Sequence, residues 1–561
     1  MFNIGCWFDG NMANRSPKEL VGIVLQPIEM FSDTLERRLG LFSVIIISLS
    51  AMIGSGLFVL PSLAYAMVGG GVWLAYVLAA LVVLPGAISQ SELASAMPTS
   101  GGSSVFIERT FGPMFGTIAG LGLWASFLLK AAFALIGFSA YLMFVQEYLG
   151  TEVTGIQAAL SMLVLIVIIN ILGMKRIKSV QTPIVTLSIL MLIGLTFWAI
   201  VSGDADYSKA RPVLETTSDW TKMGEAAAFV LISYAGVAKV AAIGGEIKDP
   251  GRNLPGGIMI SLGIGAVLYA ALVATMVAVI PHEAFFDSHG HAIEDPVRAF
   301  AEIVGGSNVA IFAAIVAILT MTSMSLAGIL AASRYLFAMS RDNLLPDLLE
   351  DVHPRFETPH IAIALTALGM AVALLTIDVH QVAEYASGFQ IMVYILMCLS
   401  VLVLRKATPS HAWYQPSYSS PFHPILQLFG ILSGCSLLYF MGAEAFYGAA
   451  TSFIVGGILY FGYGKNHINR KITPWETFRL MFVDPDEAEH RRRLTAFHAA
   501  DTHGQNHLTL HEFISAMDAL ECCDEGHTAL REYFHHADVK GNGYIDIDNF
   551  LETVEKHGSY D

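Results

Sequence analysis

The chain has 561 residues, of which 54% are hydrophobic and only 14% are charged, and its mean hydropathy is +0.59. A water-soluble protein of this length needs a larger charged surface, so the composition excludes a wholly soluble protein. The formal net charge of -16 disfavours nucleic acid and anionic lipid headgroups as partners.

Long apolar stretches predict an all-α membrane protein with 12 transmembrane helices, because about 20 apolar residues span ~30 Å of hydrocarbon. The predicted spans are 40–68, 71–97, 114–146, 154–173, 179–202, 225–247, 255–281, 306–338, 359–377, 383–405, 424–441 and 443–462. Basic residues gather in the loops that share one side with the N-terminus, which predicts cytoplasmic N- and C-termini. We expect a multi-pass protein of the plasma (inner) membrane.

The predicted domain organisation has four parts. It comprises an N-terminal cytoplasmic tail (1–36), a transmembrane domain (37–462), a linker (463–489) and a cytoplasmic C-terminal domain (490–561).

Two of the predicted spans, the first and the sixth, are interrupted by small residues. The first contains Gly54-Ser55-Gly56 and the sixth contains Ser233-Tyr234-Ala235-Gly236. Glycine is unfavourable inside a helix, and unwound backbone survives in a bilayer only where protein buries it or a cavity borders it. Interruptions in matching positions of two halves indicate a transporter's binding site, here in two five-span inverted repeats followed by two extra helices.

The interruptions also predict what is bound. The half-helix that follows Gly54 presents free amides and the positive end of its dipole, which suit a carboxylate. Carbonyl oxygens at the sixth-span interruption suit an ammonium group, so the pair fits an α-amino acid. The alternative is that these glycines only allow close helix packing. The predicted substrate-binding residues are Gly54, Ser55, Gly56, Ile232, Ser233, Tyr234 and Gly236.

Four motifs in chain order resemble the amino acid–polyamine–organocation superfamily of transporters. They lie at 53–58, 92–103, 233–255 and 333–342, so the resemblance covers roughly 37–462. The resemblance implies the five-plus-five inverted-repeat fold, alternating access, and amino acids or related amines as substrates. Many relatives carry an aromatic residue and then often an acidic one where this chain has Val237 and Ala238, which favours a neutral amino acid over a polyamine or basic one.

Several polar residues are candidates for ion coupling, and proton, sodium and exchange coupling all stay open. The lysine that some proton-coupled relatives carry in the fifth span is replaced at about Ser188. Lys130 and Lys239 are intramembrane cations that suit proton transfer, or are compensated by carbonyls and snorkelling. Ser188, Thr322 and Ser323 offer hydroxyl oxygens for sodium, or hydrogen bonds between helices. The loop after the sixth span offers a cytoplasmic gate formed by Glu246, Lys248, Asp249 and Arg252.

The acidic tail contains two similar segments at an offset of 37 residues and resembles a degenerate EF-hand pair over about 490–558. Calcium requires oxygen ligands at fixed loop positions with a bidentate carboxylate last. Each loop lacks some of these: His503 replaces one ligand, and Asn549 replaces the final acid. The alternative is a helical module that docks onto the chain itself or onto an unknown regulatory protein. The candidate calcium ligands are Asp501, Gln505, Thr509, Glu512, Asp538, Asn542 and Asp546.

No nucleophile–base constellation or nucleotide-binding loop is visible, so we expect a secondary active transporter of amino acids, a symporter or an exchanger, and not an enzyme. No cofactor is expected beyond a coupling ion and, in the tail, calcium. Two alternatives remain. One is a membrane nutrient sensor that signals through the C-terminal domain, and the other is a transporter of the same fold for a polyamine or nucleobase.

Overall fold

The computed structural model describes residues 39–557, with several gaps. The gaps are 98–101, 150–152, 174–176, 204, 213, 215, 357, 407–413, 468–489, 491–492, 495, 498–499, 501–506, 521–525 and 539–542. The chain divides into two compact units, one formed by 37–405 and 414–477 and the other containing the C-terminal residues from 478.

The described residues of the larger unit are mostly helical. Its α-helices are α1 (Leu41–Met52), α2 (Ser55–Phe58), α3 (Leu60–Val68), α4 (Val72–Ala96), α5 (Ser103–Phe111), α6 (Pro113–Leu149), α7 (Gly155–Ile171), α8 (Ile177–Ser202), α9 (Thr217–Val230), α10 (Pro250–Val279), α11 (Pro296–Gly305), α12 (Ser307–Arg341), α13 (His360–Thr376), α14 (Val379–Lys406), α15 (Ile425–Phe440), α16 (Ala443–Leu459) and α17 (Lys465–His467). 3₁₀ segments lie at Gly69–Gly71, Leu231–Glu246, His282–Phe285 and Asp347–Glu350, and a π-helical turn lies at Tyr460–Gly464.

Every predicted span coincides with helix in the structure. By length and composition, 8 described helices are apolar enough to cross a membrane. Shorter apolar helices occupy the other predicted spans: Leu41–Met52, Gly155–Ile171, His360–Thr376 and Ile425–Phe440. A multi-pass helical membrane protein is therefore supported, while the number of 12 crossings stays a prediction.

The two predicted interruptions take different forms. The first span breaks sharply, because α1 ends at Met52 and Gly54 is the N-cap of the four-residue helix α2. The sixth span is not unwound at Tyr234. Instead α9 ends at Val230 and the chain continues as a 3₁₀ helix, which has poorer hydrogen-bond geometry and often marks a hinge.

Long helices in contact form the core of this unit. Helix α12 packs along α6, and α10 packs along α4 and α1. The 3₁₀ segment after α9 packs against α1 and α4. These contacts bring the first and sixth predicted spans together, although they are far apart in sequence.

The C-terminal unit is small and has its own core. Strands β1 (His507–Thr509) and β2 (Tyr544–Asp546) pair antiparallel, and the described helices of this unit include α18 (Leu510–Leu520), α19 (Gly526–Ala537) and α20 (Ile547–His557). Its core contains Phe513, whose ring contacts those of Phe534 and Phe550.

Candidate functional site

The two interrupted segments meet backbone to backbone. A Cβ added at Gly56 would lie 2.8 Å from the Ser233 Cα, and one added at Gly236 would lie 2.3 Å from the Ala51 carbonyl carbon. Backbone atoms cannot move aside as a flexible side chain can. Glycine at these two positions is therefore what allows the close approach, and the segments are held in fixed register.

Side-chain hydrogen bonds reinforce this contact. The Gly56 carbonyl accepts hydrogen bonds from the Tyr76 hydroxyl at 2.8 Å and the Ser233 hydroxyl at 3.1 Å. The fully buried Tyr234 donates its hydroxyl hydrogen to the Tyr76 carbonyl at 3.0 Å. Tyr234 thus binds the 3₁₀ segment to α4, which is a positioning contact.

The amide end of the predicted site faces a sulfur atom. The backbone N–H of Ser55 points at the Met324 Sδ, 3.3 Å away, and the Ser55 hydroxyl lies 3.7 Å from the same atom. A Cβ at Gly54 would also collide with this sulfur, at 2.0 Å. The thioether of α12 therefore covers the amides that the sequence predicts for a carboxylate.

The carbonyl end faces an ammonium group of the chain itself. Lys130 Nζ donates hydrogen bonds to the Ile232 carbonyl at 3.0 Å and to the Ala51 carbonyl at 3.2 Å. One acceptor lies in each interrupted segment, and Lys130 is only 2% exposed. The sequence identified Lys130 as an intramembrane cation, but its two partners emerge only from the fold.

Lys239, the second predicted intramembrane cation, lies over an aromatic ring. Its Nζ is 5.0 Å from the centroid of Phe127, which stacks on Tyr335 at a centroid distance of 5.7 Å. Such cation–π contacts stabilise a partly desolvated ammonium. Lys239 is half-buried and repels Lys130 electrostatically.

The hydroxyl candidates for ion coupling separate into two groups. The Ser188 hydroxyl lies 2.5 Å from that of Thr320, and both residues are buried. Thr322 instead donates to the Ile318 carbonyl of its own helix, and the Ser323 carbonyl accepts a hydrogen bond from Gln181. Ser188 is thus joined to α12 through Thr320.

The predicted cytoplasmic gate lies where the chain enters α10. Lys248, Asp249 and Arg252 are exposed, and no ion pair joins them to any residue that the structure describes. The backbone N–H of Lys248 donates to the Leu39 carbonyl at 2.9 Å, and Asp249 is the N-cap of α10. Of Glu246, only the backbone is described.

A cavity that the sequence did not indicate lies between the end of α3, α6, the loop before α11 and the start of α14. It has a volume of about 1470 Å³, and most of the ionisable residues in its lining are acidic. These acidic residues are Asp287, Glu294, Asp295, Glu302 and Asp378. The feature of the sequence that could have indicated this cavity is the acidic content of residues 283–302.

Burial, and then the charge of Asp295, raise the pKa of Glu294 to about 7. Arg298 pairs with Asp295 and, at 2.6 Å, with Glu302. The cavity wall therefore contains one carboxyl group that titrates near neutral pH beside carboxylates that are already paired.

Part of the predicted calcium-binding set lies outside the described residues, namely Asp501, Gln505 and Asn542. Of the rest, the Glu512 carboxylate accepts hydrogen bonds from the Thr509 amide at 3.0 Å and its hydroxyl at 2.9 Å. Asp538 accepts from the Gly543 amide at 2.7 Å, and Asp546 from the Asn549 amide at 3.0 Å. Within the described residues, no group of three or more metal-binding side chains occurs.

A helical membrane protein in which two interrupted helices meet at carbonyl and amide groups is typical of secondary transporters. The family described as amino acid permease matches residues 39–462, and the chain belongs to this family. The family assignment thus covers the larger unit, and the C-terminal unit lies outside the match.

Named relatives agree with this assignment, and a solved structure has a similar fold. The chain is 28% identical to the branched-chain amino acid permease BcaP of Bacillus subtilis, over 77% of this chain and 94% of the relative. It is 25% identical to the serine/threonine exchanger SteT of the same organism, over 71% and 90%. A crystal structure of the Eremococcus coleocola manganese transporter has a similar fold, with a TM-score of 0.50 and 13% identity over 83% of this chain and 99% of that one.

Proposed function

We propose that this protein is a secondary active transporter that moves amino acids with uncharged side chains across the plasma membrane by alternating access. The observation that carries the proposal is the contact between the two interrupted segments, Gly56 on Ser233 and Gly236 on Ala51. In support, Ser55 begins the short helix of one segment, and the carbonyls of Ala51 and Ile232, one from each segment, share Lys130 as their donor. This arrangement provides an amide donor for a carboxylate and carbonyl acceptors for an ammonium group.

The Lys130 contacts support the assignment of the ammonium end. The carbonyls of Ala51 and Ile232 hold a primary ammonium group at hydrogen-bond distance, so their geometry suits the α-ammonium of a substrate. The small apolar residues Val237 and Ala238 provide no charge for a basic side chain, which supports a neutral substrate. Two relatives, a branched-chain amino acid permease and a serine/threonine exchanger, point to the same class.

The coupling ion is proposed to be sodium or a proton. Ser188, Thr322 and Ser323 are the candidate oxygen donors for sodium, while Lys130 and Lys239 are the candidate proton carriers. Lys248, Asp249 and Arg252, with Glu246, are proposed to close the cytoplasmic mouth in another conformation of the cycle.

The C-terminal unit is proposed to be an EF-hand-like regulatory module on the cytoplasmic side. The pairing of β1 with β2 and the bond from Gly543 to Asp538 support this proposal. Calcium is its candidate ligand. Thermal unfolding of the full chain with calcium or with chelator tests this, and Asp538→Asn should remove any calcium-dependent shift.

The decisive experiment is uptake into proteoliposomes of each of the common amino acids in radiolabelled form, with and without sodium and with and without a proton gradient. We expect uptake of a small group of neutral amino acids, driven by one of the two gradients. Gly56→Leu should abolish it. Uptake of a polyamine or nucleobase in place of amino acids, or substrate binding without measurable flux, would contradict the proposal.

A further inference from the structure

The predicted binding cradle is occupied at both ends by the chain's own side chains. Here the cradle means the Ser55 amide together with the carbonyls of Ala51 and Ile232. Lys130 Nζ lies 3.0 and 3.2 Å from the two carbonyls, and Met324 Sδ lies 3.3 Å from the amide. These are the groups that the proposed function assigns to the substrate's ammonium and carboxylate.

The two occupants differ in how easily they can leave. Met324 is a flexible thioether that accepts hydrogen bonds weakly, so a carboxylate would displace it readily. Lys130 is only 2% exposed and donates hydrogen bonds to two backbone carbonyls, so its departure leaves two buried acceptors without a donor. A second ammonium group cannot share those carbonyls, because two like charges at hydrogen-bond distance repel one another strongly.

We propose that Lys130 is a tethered substitute for the substrate's ammonium group. It donates hydrogen bonds to the carbonyls of Ala51 and Ile232 whenever no substrate is bound, and it withdraws when a substrate ammonium arrives. This inference rests on the proposed function. Because Lys130 keeps the first and sixth spans joined without substrate, it allows the unloaded transporter to reorient across the membrane.

The consequence is a difference between two modes of transport. Net uptake requires the unloaded transporter to return, whereas exchange requires only loaded crossings in both directions. A side chain that only supports the fold would affect both modes equally. Loss of the Lys130 ammonium should therefore impair net uptake and spare exchange.

The test compares wild type with Lys130→Met in proteoliposomes, one set empty and one preloaded with unlabelled amino acid. In Lys130→Met, net uptake should fall by about tenfold or more. Leaving a buried carbonyl without its donor costs enough free energy to slow the return of the unloaded transporter by that factor. Exchange should stay within about threefold of wild type. Ser126→Ala is the matched control, because Ser126 lies one turn before Lys130 on α6 and donates to the Ala386 carbonyl at 3.0 Å, outside the cradle, and its ratio of net uptake to exchange should equal that of wild type.

Lys130→Arg decides the question if Lys130→Met does not fold, as judged by size-exclusion chromatography. The guanidinium retains charge and binds carbonyls through several N–H groups, so net uptake should persist while the substrate KM for exchange rises. An unchanged KM in Lys130→Arg, or an equal loss of both modes in Lys130→Met, would overturn the inference. Wild type that transports no amino acid in either mode would instead overturn the proposed function.

Discussion

The guanidinium group of Arg405 and the carboxylate of Glu92 form two parallel hydrogen bonds of 2.8 Å each. Glu92 is fully buried at the end of α4, and Arg405 lies at the end of α14. The same carboxylate accepts hydrogen bonds from the Tyr414 hydroxyl at 2.7 Å and from the Ser420 amide at 2.8 Å. The buried carboxylate of Glu92 thus connects α4 to α14 and to the segment that follows α14.

Removing that charge should destabilise the larger unit. Glu92→Gln leaves Arg405 without its anion, and breaking a buried pair by losing one partner costs about 3 kcal/mol. We expect a clear fall in the midpoint of thermal unfolding in detergent. The matched control is Glu302→Gln, which removes a partly exposed carboxylate from Arg298 and should cost less than about 1 kcal/mol. Equal effects of the two substitutions would contradict the structural role of Glu92.

A single methyl group at Gly56 should abolish transport. The added Cβ of Gly56→Ala would lie 2.4 Å from the Ser233 Oγ and 2.8 Å from its Cα, so the two segments must separate. Gly194→Ala is the control, because its Cβ meets no atom within 4 Å and alanine favours helix by about 1 kcal/mol. Uptake by Gly194→Ala should equal that of wild type. Normal uptake by Gly56→Ala would show that this contact is dispensable.

The loop that contains Glu294 should become less ordered as the pH rises. The pKa of Glu294, about 7, lies above the ordinary value of 4.5. Between these two pH values the folded loop holds a proton that the unfolded loop releases. The contribution to stability is therefore fully present below about pH 4.5 and is lost as the pH rises through about 7. This loop lies on α3, where the Ser62 hydroxyl donates to the Ile293 carbonyl and Tyr65 stacks on Phe285.

Hydrogen exchange of residues 285–297 at about pH 5 and about pH 8, corrected for intrinsic rates, measures this effect. Wild type should lose protection at the higher pH, and Glu294→Gln should not. The other ionisable side chains of the cavity wall are Asp287, His291, Asp295, Arg298, Glu302, Asp378 and His380. Equal pH dependence in wild type and Glu294→Gln would assign the effect to one of these groups.

Transport should survive deletion of the tail. Every residue of the cradle lies within 39–462, the region that matches the permease family. We therefore expect a chain ending at residue 465 to take up the same amino acids as the full chain, at a rate within about threefold. Loss of uptake in a folded truncated chain would show that the tail is required for transport.

Much of the architecture was predictable from the sequence, because a segment that crosses the hydrocarbon of a membrane must be apolar and helical. Each apolar stretch of the sequence lies on a helix, and the break at Gly54 lies where the Gly-Ser-Gly sequence indicated. The change to a 3₁₀ helix at Leu231 was not predictable, because no residue there forbids α-helix. Packing of Gly236 against the Ala51 backbone supplies a reason that sequence alone does not contain.

The sequence by itself determined that this chain is a helical membrane protein with a glycine-containing break in its first span and an acidic tail. Periodicity and hydropathy are local properties and suffice for that. Only the tertiary structure decided that Lys130 reaches the carbonyls of Ala51 and Ile232, residues 79 and 102 positions away. Hydrogen bonds between distant segments depend on how helices pack, and helix packing is a property of the folded chain as a whole.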